Sequence, residues 1–174
     1  MLKRPVFLVG FMGSGKTTWG RRLAHKFQLP FLDTDQLLSN KEGLSINEIF
    51  ATKGEPYFRN QEAEILENLK HELAIIATGG GLPCYHDNME KLNALGTTVY
   101  LDLPPKALFQ RLQLERNKRP LLANLNDTEL LQFIESRLSE RENTYLQAKV
   151  VVKVLKADIN SLAQHLLDRE KPTT

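Results

Sequence analysis

Residues 6 to 9 are apolar without interruption, Val6-Phe7-Leu8-Val9, and the run stops in Gly10-Phe11-Met12-Gly13-Ser14-Gly15-Lys16-Thr17. Few architectures accept an apolar strand that halts in a glycine-rich turn and restarts as a helix. A strand without polar alternation is expected where both faces of a parallel sheet are covered. The turn itself fits G-x-x-x-x-G-K-[ST]. Its glycines let the backbone wrap a phosphate without side chains in the way, and the positive end of the helix dipole lies behind several N–H groups. Lys16 is placed to reach β and γ phosphates, and the Thr17 hydroxyl to ligate Mg²⁺. A plain glycine turn beside an exposed lysine is the competing reading, and the flanking strand and helix oppose it. The motif predicts a nucleoside triphosphate site.

The rest of the chain repeats the alternation. After the turn, Trp19, Leu23 and Phe27 recur every four residues, the spacing of a helix with one apolar face. A short strand around Phe31-Leu32 runs into Asp33-Thr34-Asp35. Residues 36 to 60 read as short helical pieces broken by Gly43, Gly54 and Pro56, and 61 to 72 as a helix. Leu73–Ala77 is a third strand, ending in Thr78-Gly79-Gly80-Gly81. Thr97–Leu101 is a fourth, followed by Asp102 and a helix through Leu108 and Leu112. A long helix is expected over 127 to 147, a fifth strand over Val150–Leu155, and a closing helix carrying Leu162, Leu166 and Leu167. Strands and helices alternating at this spacing predict a three-layer α/β/α fold with a five-stranded parallel sheet. An α+β arrangement is the alternative. In a parallel sheet all carboxyl ends share one edge, so the glycine turn, Asp33 and Asp35, the triple glycine and Asp102 should meet on one rim.

Several residues on that rim suit chemistry. Asp33 and Asp35 are two apart, so in an extended segment they point the same way, one toward a metal and one toward a second substrate. A helix N-cap plus a turn aspartate is the plainer use. Three consecutive glycines after a buried strand let a ligand approach the backbone. Arg141 stands on the stripe Ile134, Leu138, Arg141, Tyr145, which puts a guanidinium on an otherwise apolar face. Such a charge needs a partner, either an internal carboxylate or an anionic ligand. Arg59 ends the irregular segment, where a surface position is the bland alternative. Arg119 sits in a basic stretch between two helices, as a cation on a mobile lid would.

Other features exclude function classes. The 174 residues suit one domain, residues 1–174, and 41% hydrophobic with 25% charged residues is the mix of a soluble globular protein. A net charge of +2 gives no ground for a nucleic-acid or membrane surface. Cys84 is the single cysteine, so an internal disulfide and a cysteine metal cluster are excluded. The basic-then-apolar start is too short for a signal peptide because the glycine turn cuts into it, and a cytoplasmic location is expected. His25, His71, His86 and His165 have no metal or triad spacing. The third strand ends in threonine and glycine where most phosphate-loop ATPases carry aspartate. Asn117-Lys118 lacks the following aspartate of guanine-reading switches. A small-molecule kinase is consistent with both absences. A nucleotide-dependent regulatory module with no acceptor is the reading from another class.

Taken in order, Gly10–Thr18, Asp33-Thr34-Asp35, Phe58-Arg59, Gly79-Gly80-Gly81, Arg119-Pro120-Leu121-Leu122 and Arg141 with Tyr145 resemble the shikimate kinase family. The likeness spans nearly the whole chain. It implies the nucleoside-monophosphate-kinase-like branch of phosphate-loop folds and ATP-dependent phosphorylation of the 3-hydroxyl of shikimate, a step toward chorismate and the aromatic amino acids. It implies ATP contacts from Gly13, Ser14, Gly15, Lys16, Thr17 and Thr18, with Arg119 on the lid. Thr17 would bind Mg²⁺, Asp33 would support it through water, and Asp35, Arg59, Gly80 and Arg141 would contact shikimate. Asp35, Lys16 and Arg119 would carry catalysis. Residues 35–60 resemble a substrate-binding insert and 113–124 a lid, and a monomer is expected. The positions near Arg111 and Asp158, where adenine contacts would fall, are weakly marked. Another kinase of the same fold, acting on gluconate or a nucleoside monophosphate, is the nearest alternative.

Overall fold

A computed structural model describes residues 1–116 and 119–171, without the side chain of Pro120. Five strands form one parallel sheet in the order β2-β3-β1-β4-β5, where β1 is Val6–Val9, β2 Phe31–Asp33, β3 Ile75–Ala77, β4 Thr97–Asp102 and β5 Val150–Lys153. The central strand β1 pairs with β3 through Val6–Ile75 and with β4 through Val6–Thr97. All four of its residues are fully buried, as a strand covered on both faces requires. At the edge, β5 alternates buried Val150 and Val152 with exposed Val151.

The connections step in two directions from β1. The helix α1, Lys16–Phe27, carries the chain to β2, and later crossovers step back across the sheet through α2 (Thr34–Glu42), α3 (Ile46–Asn68), α4 (Asn88–Leu95), α5 (Pro105–Glu115), α6 (Pro120–Ala123) and α7 (Asp127–Tyr145). Right-handed crossovers then place α1 on one face and the crossover helices after β2 on the other. The last helix, α8 (Ile159–Arg169), packs beside α1, and α5 packs on α7. The result is the expected three-layer α/β/α fold.

Local sequence sets the helix starts. Ser45 with Glu48 and Asn126 with Glu129 form reciprocal capping boxes at α3 and α7, and Asp158 caps α8. Gly43 closes the nine-residue α2, and Gly54, at φ 79° and ψ 169°, divides α3 at a kink, so the segment over 36 to 60 is broken into helical pieces at both glycines as expected. Two details differ. Pro56 lies inside the helix that follows Gly54 and does not break it. And α2 begins at Thr34, so Asp33 and Asp35 do not share an extended segment: Asp33 caps the helix, and Asp35 lies in its first turn.

Candidate active site

The carboxyl ends of β1, β2 and β3 open into a cleft of about 1160 Å³ lined by Gly13, Lys16, Thr17, Asp33, Asp35, Gly80 and Arg119 among others. Gly10, Gly13 and Gly15 take positive φ values that glycine adopts without a side-chain clash. No side chain caps α1, so its first-turn N–H groups face the cleft. Lys16 Nζ donates to the carbonyls of Gly10 at 2.8 Å and Phe11 at 2.9 Å, bridging the loop. Burial pulls the Lys16 ammonium down to about 8, against the opposing charges of Asp35 and Asp33.

Ser14 stands apart from the other predicted phosphate contacts. Its side chain is fully buried next to Gly10, its N–H donates to Phe11 O at 3.1 Å, and it does not line the cleft. Thr17 and Thr18 are exposed and do line it. A residue that the sequence left unassigned also holds the loop: Arg111, which lines the cleft, donates through Nη1 to the carbonyls of Gly13 and Ser14, both at 3.1 Å. Asp158, the other weakly marked position, is occupied by capping α8.

Asp33 serves as the cap of α2 and also reaches Thr17. One carboxylate oxygen caps α2, accepting from Asp35 N at 3.1 Å and Gln36 N at 3.4 Å, while the other accepts from Thr17 Oγ1 at 3.3 Å. A hydroxyl and a carboxylate facing each other beside the phosphate nest are the hard oxygen donors that Mg²⁺ takes, alongside water and phosphate. Among the described residues no cluster of three or more acidic, histidine or cysteine side chains could hold a metal alone.

The three glycines after β3 have three separate jobs. A Cβ on Gly79 would fall inside 3.0 Å of Asp35 Oδ1, closer than real Cβ atoms come. A Cβ on Gly81 would stand 2.7 Å from Arg59 Nη1. Gly80 is different: its Cβ would have only ordinary contacts, 3.6 Å to Gly10 O and Met12 N and 3.9 Å to Arg141 Nη1. Gly80 therefore marks where the phosphate loop and Arg141 meet. The turn is pinned by Gly79 N donating to Thr34 Oγ1 at 2.8 Å, and by Tyr145 Oη donating to Gly80 O at 2.6 Å. Tyr145 was legible as a stripe residue and beside Arg141 in the family pattern; its hydroxyl carried no signal for this role.

Asp35 sits among like and unlike charges. Burial and Asp33 push its carboxyl up, while Lys16 and Arg59 pull it down. Arg59, expected as a substrate contact with a surface position as the bland alternative, is only 9% exposed. Its Nη1 donates to Glu62 at 2.7 Å, and its Nη2 and Nε donate to Glu55 at 2.9 and 3.2 Å. The buried Glu62 carboxyl is pushed up to about 7 by desolvation, against the pull of Arg59. These glutamates lie four before and three after Arg59, one helical turn either way, a spacing visible in the sequence. Arg141 reaches Gly80 and has no carboxylate partner among the described residues. Arg119 stands at the N-cap position of α6, and its side chain donates to Glu115 at 3.0 Å rather than capping the helix. Residues 117 and 118 of the expected lid lie outside the described residues. Asp102, expected on the rim, ends β4 but does not line the cleft.

Comparison with known proteins meets this geometry. The family model described as shikimate kinase matches residues 12–170. Shikimate kinase of Bacteroides fragilis is 43% identical over 147 residues, covering 84% of this chain and 82% of its own. The crystal structure of shikimate kinase from Bacteroides thetaiotaomicron superposes with a TM-score of 0.87 at 37% identity, covering 95% of this chain and 97% of that one. Shikimate kinase from Acinetobacter baumannii, solved in complex with shikimate, gives 0.81 at 35% identity, over 95% and 92%. With a match that runs from the glycine turn into α8, this chain belongs to the shikimate kinase family, phosphotransferases acting on a hydroxyl.

Proposed function

We propose that this protein transfers the γ-phosphoryl group of ATP to the 3-hydroxyl of shikimate. The observation that carries the reading is the position of Gly80, which borders the phosphate loop on one side and Arg141 on the other. A triphosphate seated in the loop and an acid held by Arg59 and Arg141 then face one another, with Asp35 between them and Lys16 alongside.

Phosphoryl transfer asks the protein for alignment and charge stabilisation. Gly13, Ser14, Gly15, Lys16, Thr17 and Thr18 hold the phosphates, Ser14 through the backbone of the loop. Arg59 and Arg141 clamp the carboxylate of the acid, and Gly80 leaves room for its ring. Asp35 accepts a hydrogen bond from the attacking hydroxyl and takes its proton as the bond to phosphorus forms. Its raised affinity for protons suits that late transfer, since an ordinary carboxylate is too weak a base to ionise an alcohol beforehand. Lys16 and Arg119 stabilise the charge that passes to the leaving ADP. Thr17 and Asp33 would hold Mg²⁺, which when bound neutralises phosphate charge. Residues 35–60, from α2 into the kinked α3, act as the substrate-binding insert, and 113–124 as the lid that brings Arg119 over the nucleotide.

The test is ADP release, measured with shikimate, gluconate and AMP in turn. Release that depends on shikimate supports the reading. Release stimulated by gluconate or AMP instead transfers the chain to another kinase specificity, and ADP release independent of any acceptor supports a nucleotide-driven module.

A further inference from the structure

One aromatic side chain beside the acceptor has no part in the mechanism above. Tyr85 follows the 3-10 turn Leu82–Cys84 into which the triple glycine leads, and the fold carries it across to the kink of α3. Its ring centre lies 3.7 Å from the guanidinium carbon of Arg59, closer than the rings of Phe58 at 5.0 Å and Phe50 at 5.8 Å. Its hydroxyl donates to Glu55 Oε1 at 2.7 Å, the same oxygen that accepts from Arg59 Nε and Nη2. One carboxylate oxygen thus gathers three donors from two walls of the acceptor site.

Geometry makes this more than packing. The Glu55 side chain is 51% exposed while Arg59 is buried, so the Glu55 end of this pair is open to solvent and weakly held by the ion pair alone. Tyr85 adds a second anchor to Glu55 and covers a face of the guanidinium. Both the hydroxyl of Tyr85 and the ion pair with Arg59 hold the Glu55 carboxyl below its ordinary range. Of the five N–H groups on Arg59, Glu55 takes that on Nε and one on Nη2, and Glu62 takes one on Nη1, which leaves two for a ligand. Their direction is set by the plane in which the guanidinium is held.

We propose that Tyr85 is a positioning residue that fixes the plane in which Arg59 presents its two remaining N–H groups to the carboxylate of the acceptor. The proposal rests on the reading that the acceptor is shikimate. A merely space-filling tyrosine would, when removed, lower the melting temperature and disturb every kinetic constant together. A positioning tyrosine affects the KM for the acid while kcat and the KM for ATP stay put.

Two variants separate these cases. Tyr85→Phe keeps the ring and loses the hydrogen bond, and Tyr85→Ala loses both. The expected KM for shikimate rises about threefold in the first and about tenfold or more in the second, in that order. Independently of turnover, the Nε–H resonance of Arg59 in a ¹⁵N NMR spectrum should exchange with water faster in both variants than in the wild type. An unchanged KM in folded Tyr85→Ala overturns the proposal, as does a parallel loss in kcat and both KM values. Should Tyr85→Ala fail to fold, Tyr85→Phe decides by the same criteria. If the wild type does not turn over shikimate, the functional reading falls, and the Arg59 exchange rate alone decides whether Tyr85 positions the guanidinium.

Discussion

Replacing each glycine of the Gly79-Gly80-Gly81 turn by alanine should give three different enzymes. None of the three has a positive φ, so the added methyl acts through space and not through backbone strain. In Gly79→Ala the methyl meets Asp35 Oδ1 inside 3.0 Å and Glu62 Oε1 at 3.2 Å. The carboxylate of Asp35 is the end of a short side chain, so it yields, retreating by roughly 1 Å to reach ordinary contact, and a misplacement of that size at a reacting group costs about 10²-fold in rate. Overpacking costs about 1–3 kcal/mol, which a domain with about 5–15 kcal/mol of stability survives. The expected result is a folded protein with kcat reduced about 100-fold and ATP affinity unchanged. In Gly81→Ala the methyl meets Arg59 Nη1 at 2.7 Å, and the displaced guanidinium raises the KM for shikimate about tenfold or more. In Gly80→Ala the protein has room, so melting is unaffected, but the methyl stands where the acceptor and the phosphate loop meet and turnover falls. A coupled ADP-release assay at varied shikimate and ATP, with a thermal melt of each variant, reads all three. Wild-type kcat in folded Gly79→Ala would refute the placement of Asp35 against the turn.

Three further outcomes follow from the site. Asp35→Asn removes the proton acceptor and should lower kcat by about 10²–10⁴ while leaving ATP binding, measured by calorimetry, nearly intact; wild-type turnover would remove Asp35 from the chemistry. Arg141→Ala should raise the KM for shikimate by about 1.5–3 kcal/mol of lost binding, roughly ten- to hundredfold, with no loss of melting temperature because no internal carboxylate loses a partner. Unfolding instead would mean that Arg141 is a structural cation. Lys16, at about 8, loses its proton as pH rises through that value, and triphosphate favours the charged form. ATP affinity should therefore fall above about pH 8, and calorimetry there in buffers of different ionisation enthalpy should show proton uptake on binding. Because the folded value lies below 10.5, the ligand-free protein gains stability from this group as pH climbs between the two values. Proton release on binding would contradict the assignment.

The layers and the sheet were legible because apolar runs and glycine turns encode them locally. Val6–Val9 is buried on both faces as its composition demands, and the glycine turn after it lines the cleft as the motif requires. Where local signals compete, the sequence was less clear. Asp33 reads as a helix cap or as a metal-side carboxylate; in the structure one oxygen caps α2 and the other accepts from Thr17 Oγ1. Gly54 and Pro56 look like helix ends, yet proline is tolerated early in a helix, and the chain resumes after one non-helical residue. The network around Arg59 was only half readable. Glu55 and Glu62 stand at helical spacing, but Tyr85 is 26 residues away in sequence and arrives through tertiary structure alone. The same holds for Arg111 and Tyr145, whose hydrogen bonds to loop carbonyls span 98 and 65 residues.

The most direct measurement is the identity of the bond formed. Protein, ATP, Mg²⁺ and shikimate should yield a single phosphomonoester whose ³¹P signal couples to the proton on carbon 3 of the ring. A phosphate ester on another hydroxyl, or ATP consumed with no ester at all, would contradict a site in which Asp35 stands between the phosphate loop and the clamped acid.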